Sequence, residues 1–428
     1  MKLPQFSKFP RFSRRAPAPR PAFVWRWVYP VVLVGLIVAA AFLADAGLEN
    51  AMNIRSGKVT RVETDPCKPG FLAAVDTTPT MLVIETDARN DAVGVTAMSL
   101  GAGNKGGWVL QIPVETHLKD GKLLWQVWRE AAWPPPPTTT RGTGQVSTTT
   151  TAPTVTAEGV TAGKAAMAAA VGRLLGFSFP SDVIVLPTKT MATLMTAAMP
   201  ISFTLQTSVQ AEGATGLETL FRAGVISIQK ETDVVGLFET VGPDGPQARL
   251  KRQIDLWSTW LRSLEASPTA LAAFKSESAS LVTYVNALTA GSSEYRSLPI
   301  ADEVHYLGLF IIEPNAAQTV VLAAQMAPFP VMIEPGARLR TALFNGTANC
   351  DLTLSAATRF VENGAQIDVL GNATTLDVAQ SEIVYYDGEL KARVEAFARS
   401  LGIDAVPRLL AGESAVDMTV TLGGDFTA

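Results

Sequence analysis

The chain runs to 428 residues yet contains only two cysteines, two histidines and 17% charged residues. Cys67, Cys350, His117 and His305 lie far apart in sequence. That spacing argues against a structural zinc site, which wants its ligands in close pairs. The formal net charge of −4 gives no general attraction for nucleic acid. The one basic stretch carries no helix-turn-helix, so transcriptional control finds no support. The glycine-rich GAGNKGG (101–107) precedes a strand and does not open a helix, which argues against a phosphate cradle.

Acid is absent from residues 1–26, which hold seven Lys/Arg; removing +7 from −4 leaves −11 for residues 27–428. This alternation of Pro, Arg, Phe and Ser predicts a disordered cytoplasmic tail. It serves as a topology signal or touches anionic lipid. VYPVVLVGLIVAAAFLA (28–44) is uncharged. At ~1.5 Å per residue it spans a thin hydrocarbon core. Trp25, Trp27 and Tyr29 stand at its start, and Asp45 and Glu49 follow it. This order predicts one transmembrane signal anchor over 27–46, single-pass, with a cytoplasmic N-terminus and an extracytoplasmic body. Ala44-Asp45-Ala46 also has the form of a cleavage site, but the apolar run exceeds that of most cleaved leaders. Both cysteines fall in the exported part, where an oxidising compartment permits a Cys67–Cys350 disulfide. Sequence does not bring their Cα atoms within range.

Residues 47–79 read as a juxtamembrane linker. PPPPTTTRGTGQVSTTTTAPTVT (134–156) is a low-complexity insertion. It is either a plain flexible segment or a carrier of O-linked sugar. Around it the pattern is mixed α/β. MLVIE (81–85), VTAMSL (95–100), WVLQI (108–112), DVIVL (182–186) and ISFTLQ (201–206) read as strands. Met167, Val171, Leu174 and Leu175 share a helix face that Gly176 ends. In RLKRQIDLWSTWLRSLE (249–265), Leu250, Ile254, Trp257, Leu261 and Leu264 form an apolar stripe. The stripe faces the core or, alternatively, a partner. Arg249, Arg252, Asp255 and Arg262 lie off it. From residue 337 the order β-α-β-β-α-β predicts a compact domain over 337–428.

Five stretches of that unit carry a resemblance: FNGT (344–347), NGAQIDVLGNA (363–373), IVYYDG (383–388), FARSLG (397–402) and MTVTLGGDF (418–426). Together they resemble the C-terminal domain of LytR–CpsA–Psr cell-envelope proteins. Block 80–330 resembles a degenerate catalytic domain of the same family. Asp87-Ala-Arg89 suits a strand end in Asp-x-Arg. Val95-Thr96 stands where the family has Asp-Thr, and Gln111-Ile112-Pro113-Val114-Glu115-Thr116 where it has Ile-Pro-Arg-Asp-Thr. VGRLLGFSFPSDVIVL (171–186) suits its helix and strand. ARLKRQ (248–253) keeps the Arg249, Arg252 and Gln253 of a Gly-Arg-x-x-Arg-Gln helix start.

The resemblance implies transfer of a glycopolymer from a polyprenyl pyrophosphate to peptidoglycan. Such chemistry needs guanidinium forks on the phosphates and carboxylates as Mg²⁺ ligands or base. It assigns Arg89, Arg249 and Arg252 to pyrophosphate. It assigns Glu115 and Asp87 to catalysis, with Mg²⁺, only if the chain is active. Val114 cannot replace an arginine, and the aspartate before Thr96 is missing. The expectation is therefore a non-catalytic envelope protein without cofactor. It would bind a polyprenyl-linked glycopolymer, peptidoglycan or a partner enzyme. The alternative is an active phosphotransferase. Plainer readings stay open: Arg249 and Arg252 as a solvated face with an Arg252–Asp255 pair, Asp87 and Arg89 as turn residues, and Trp108, Trp125, Trp128 and Trp133 as core rather than a lipid groove. Asn345-Gly-Thr347 fits both a glycan acceptor and a tight turn.

Overall fold

The computed structural model describes residues 63–133, 155–214 and 216–427. They belong to one compact unit beginning at Glu63. The apolar alternation of the N-terminal block yields a mixed five-stranded sheet. Its strands are β2 (Thr80–Thr86), β3 (Ala92–Leu100), β4 (Gly107–Ile112), β5 (Asp182–Pro187) and β10 (Ser293–Ser297), in the order β10-β4-β3-β2-β5. β2–β3 and β3–β4 pair antiparallel, β2–β5 and β10–β4 parallel. Every residue of β2 and β3 is buried, because helices cover both faces.

Period two sorts the strand residues between the faces. Leu82, Ile84, Ala97, Leu110 and Ile112 pack on α1 (Leu124–Ala132), α2 (Ala157–Leu175) and α8 (Ala316–Met326). Met81, Val83, Met98 and Val109 pack on the other side. There lie α3 (Thr188–Met195), α4 (Glu231–Glu239), α5 (Gly245–Ala266), α6 (Pro268–Ala273) and α7 (Ala279–Thr289). The stripe expected on the 249–265 helix faces this core. Trp257, Trp260, Leu261 and Leu264 on α5 are fully buried, each contributing roughly 1.5–3 kcal/mol through lost apolar exposure. Trp128 is equally buried, and Trp108, Trp125 and Trp133 pack against its cluster as core. The GAGNKGG turn needs its glycines: a Cβ on Gly107 would stand 2.0 Å from Ser99 O.

Three two-stranded ribbons extend from this body: β6 (Ile201–Leu205) with β9 (Gly224–Ile228), β7 (Val209–Gly213) with β8 (Gly216–Phe221), and β11 (Ile300–Tyr306) with β12 (Leu309–Pro314). The C-terminal sheet has the order β1-β14-β13-β17-β15-β16. It comprises β1 (Leu72–Ala74), β13 (Leu339–Asn345), β14 (Ala365–Asn372), β15 (Glu382–Tyr385), β16 (Arg408–Leu409) and β17 (Met418–Leu422). α9 (Leu352–Glu362) and α10 (Lys391–Leu401) cover it through Phe360, Val394, Phe397 and Leu401. The half-buried Arg338 guanidinium donates to Gly176 O at the end of α2 and to Val361 O and Ala365 O, tying this sheet to the first body. Burial lowers its pKa to about 10.

The expected architecture of one transmembrane helix plus two α/β parts is corrected to the α/β parts. No helix among the described residues is long and apolar enough to cross a membrane. Residues 28–44, the tail 1–26 and most of the Thr/Pro insertion lie outside the described residues. The stretch read as linker contributes β1, which pairs antiparallel with β14. Cys67 and Cys350 form a disulfide there, with Cα atoms 5.1 Å apart. Asn345 is buried, and its side chain bonds Thr347 and Asn349 O, so the turn reading holds over a glycan.

Replacing both cysteines, Cys67→Ser with Cys350→Ser, should lower unfolding stability by roughly 2–5 kcal/mol, because the bridge closes a long loop. Denaturant unfolding checks this. Limited proteolysis should then cut first near Cys67.

Candidate functional site

Three of the candidate residues, Glu115, Arg249 and Arg252, lie where β4 ends beneath α5. Pro113 has no N–H to continue the ladder, and Thr116 Oγ1 donates back to Pro113 O at 2.7 Å. The resulting turn is clamped by β12: Ile312 N donates to Glu115 O and His117 N to Ile312 O. Glu115 thus points at α5, where Arg249 Nη2 lies 2.8 and 2.7 Å from its two oxygens. Arg249 is only 4% exposed, and the Glu115 side chain 14%. Arg249 Nε has no hydrogen-bond partner among the described residues. Val114, which the resemblance aligns with an arginine, faces the opposite side of the sheet among the α1 and α2 side chains.

Arg252 and Gln253 are also committed. Arg252 Nε donates to Leu237 O at 3.2 Å, and Nη2 bonds Thr240 O. Gln253 Nε2 donates to Phe238 O and Val93 O, both at 3.0 Å. Together they satisfy the last carbonyls of α4, where positive charge also suits the helix dipole. Burial, then the neighbouring Arg249 charge, lowers the Arg252 pKa to about 10. The expected solvated face with an Arg252–Asp255 pair is therefore corrected. Both arginines are buried, and Lys251 takes Asp255 instead. Sequence could not show that α4 and the β4 turn cover this face.

A buried polar row that the sequence reading missed crosses the sheet under α5. Thr96 Oγ1 reaches both Glu85 Oε1 and Gln111 Oε1, the latter at 2.6 Å. Gln111 Nε2 donates to Gln253 Oε1 at 3.3 Å. One hydroxyl proton cannot serve two acceptors. If Glu85 keeps its proton, every bond finds a donor: Glu85 to Thr96, Thr96 to Gln111, Gln111 to Gln253. Burial pushes Glu85 up to about 8, which agrees. The signal available in sequence was a glutamate closing an apolar run, MLVIE.

Asp87 and Arg89 sit apart, in the turn after β2. Asp87 Oδ1 accepts from Arg89 N and Asp91 N. The Arg89 guanidinium, 80% exposed, bonds Asp87 Oδ2 at 3.2 Å. Glu239 lies within their electrostatic reach. Burial raises its pKa, and Asp87 adds to the shift. Among the described residues, no three His, Cys, Asp or Glu side chains gather to hold a metal ion. On the outer side of α5 a cleft of about 370 Å³ is lined by Gln247, Lys251 and Arg252 of the helix, with Thr204, Thr207 and Ser297 opposite.

No family model matches the chain, and no curated protein does. Among solved structures it is similar to a LytR-Csp2A-Psr enzyme from Actinomyces oris at 12% identity and TM-score 0.38, covering 60% of this chain and 95% of that one. It is similar to B. subtilis TagT at 13% identity and TM-score 0.35, covering 62% and 92%. A third is the LytR-CPS2A-psr family protein YwtF (TagT) with bound octaprenyl pyrophosphate lipid, at 11% identity and TM-score 0.37, covering 64% and 95%. Superpositions this loose fix neither a ligand nor a reaction.

Two outcomes follow from the geometry. Glu115→Ala should cost about 3 kcal/mol, the low end for stranding a buried charge because Glu115 keeps some solvent contact; urea unfolding measures it. For Glu85 the folded pKa of about 8 exceeds the ordinary 4.5. The unfolded chain therefore binds fewer protons between those values, and stability falls as pH rises through that window. The slope is at most roughly 1.4 kcal/mol per pH unit. Glu85→Gln should flatten this slope in melts recorded from pH 5 to 8.

Proposed function

We propose that the chain is an extracytoplasmic envelope protein that binds an anionic wall glycopolymer, free or lipid-linked, without turning it over. The observation that carries the reading is the commitment of the motif arginines. Arg249 is neutralised by Glu115, and Arg252 serves the carbonyls of α4. Phosphoryl transfer needs cationic groups aimed at charge that develops on the phosphate. Here a carboxylate already holds the place a phosphate would take on Arg249. The polymer class rests on the sequence resemblance. The Cys67–Cys350 bridge supports the compartment, since such bonds persist outside the cytosol. The α5 cleft suits a sugar-phosphate segment. Thr204, Thr207 and Ser297 offer hydroxyls that both donate and accept, and Lys251 and Arg252 supply positive charge.

The test is binding of residues 63–428 to a short-chain polyprenyl pyrophosphate and to a phosphodiester-linked wall polymer, with and without Mg²⁺. Saturable binding is expected, independent of Mg²⁺ and weakened about tenfold by Thr207→Ala with Lys251→Ala. No transfer to peptidoglycan should occur. Metal-dependent transfer would establish the phosphotransferase instead, and absence of binding to either ligand would end the glycopolymer reading.

A further inference from the structure

The β11–β12 ribbon carries an exposed apolar face and tip. Its register places Val304 opposite Ile311 and Tyr306 opposite Leu309. Those pairs share one face, because residues two apart along a strand point the same way. Val304, Tyr306 and Leu309 are all exposed, Tyr306 by 63%. Leu307 at the tip is 84% exposed and adopts φ +50°. A tight hairpin turn prefers asparagine, aspartate or glycine in that left-handed conformation. A leucine there meets a backbone cost and a solvation cost together.

The same face ends at its base in a pair of carboxylates, Asp302 opposite Glu313. Like charges directly opposed across a ladder are destabilising. Glu313 is met by His117 Nδ1 at 2.6 Å. Asp302 only accepts from the backbone N of Glu303, and no cation pairs with it among the described residues. The opposite face of the ribbon is already in use. His305 stacks on Phe310 with ring centroids 4.4 Å apart, and Glu303 reaches the start of α5 at Gly245.

From this we infer that the Val304–Leu309 face of the ribbon docks another protein, one that presents an apolar strip ending in a lysine or arginine. Charge selects this occupant. An anionic lipid surface would be repelled by Asp302 and Glu313. A second copy, ribbon on ribbon, brings no cation to them. The face needs neither the glycopolymer nor the α5 cleft, so it does not depend on the function proposed above. It stands next to that site nonetheless, since Ile312 of the ribbon is bonded through its backbone to the Glu115 turn.

The experiment places the photo-reactive residue p-benzoylphenylalanine at position 306 or 309 of the full chain in its own cells, with the exposed Val406 position as control. A discrete adduct to one other protein is expected from 306 and 309 and not from 406. That protein, purified, should bind the unmodified chain. Its affinity should drop at least tenfold with Tyr306→Ser plus Leu309→Ser, and about threefold with Asp302→Asn together with a weaker salt dependence. Melting temperatures of the variants should match the parent. Adducts to lipid alone, adducts only to another copy, no position-specific adduct, or a partner indifferent to the three substitutions would each overturn the inference. None of these outcomes bears on glycopolymer binding.

Discussion

The Glu115–Arg249 ion pair organises the molecule around it. A guanidinium this deeply buried must have a counter-charge, since an uncompensated ion in the interior costs several kcal/mol. Glu115 supplies it only because Pro113 halts β4 and Ile312 clamps the following turn. The pair thereby fastens one end of α5 to the end of the central sheet. Gln253 lies one helical turn on, over Gln111, with Trp257 a further turn along above the Glu85 side. Arg252, beside them, closes the end of α4. The electrostatic requirement at Arg249 thus acts with the apolar stripe of Trp257, Trp260, Leu261 and Leu264 to seat the helix that completes the core.

The same ion pair limits what Arg249 can offer to a phosphate. Carboxylate and phosphate offer the same acceptor pattern to an arginine fork. Once Glu115 occupies it, a phosphate must first displace a largely covered carboxylate, which then needs water or another donor. Arg252 is held differently, by backbone carbonyls, and keeps its positive charge beside the outer cleft. On α5, Arg249, Arg252 and Gln253 thus serve pairing and capping within the fold.

Legibility in the sequence followed the range of the interactions. Strand alternation, the α5 stripe, the Gly176 stop and the β-α-β-β-α-β order are local patterns, and the structure has them. The burial of Arg249 and Arg252 is not local. It depends on α4 and on a turn more than a hundred residues away, so an off-stripe arginine read as solvated. The side on which Val114 falls depends on where the ladder stops at Pro113. The Glu85–Thr96–Gln111 row links three strands and a helix, and only the odd glutamate in MLVIE hinted at it. The strap carrying β1 was read as linker because its three residues pair with a strand nearly three hundred positions on.

The ribbon and the ion pair belong to one mechanical unit. β12 contributes Ile312 to the central body and holds the Glu115 turn through two backbone bonds. Its partner strand carries Glu303 to the N-terminal end of α5, within electrostatic reach of Glu115; burial raises the Glu303 pKa, and the Glu115 charge adds to the shift. The ribbon therefore sets the position of the carboxylate that neutralises Arg249 through a short backbone path, Ile312 N to Glu115 O and His117 N to Ile312 O. Each bond of that clamp is worth about 1 kcal/mol net, so the turn is held jointly by the clamp, by Pro113 and by the Glu115–Arg249 pair.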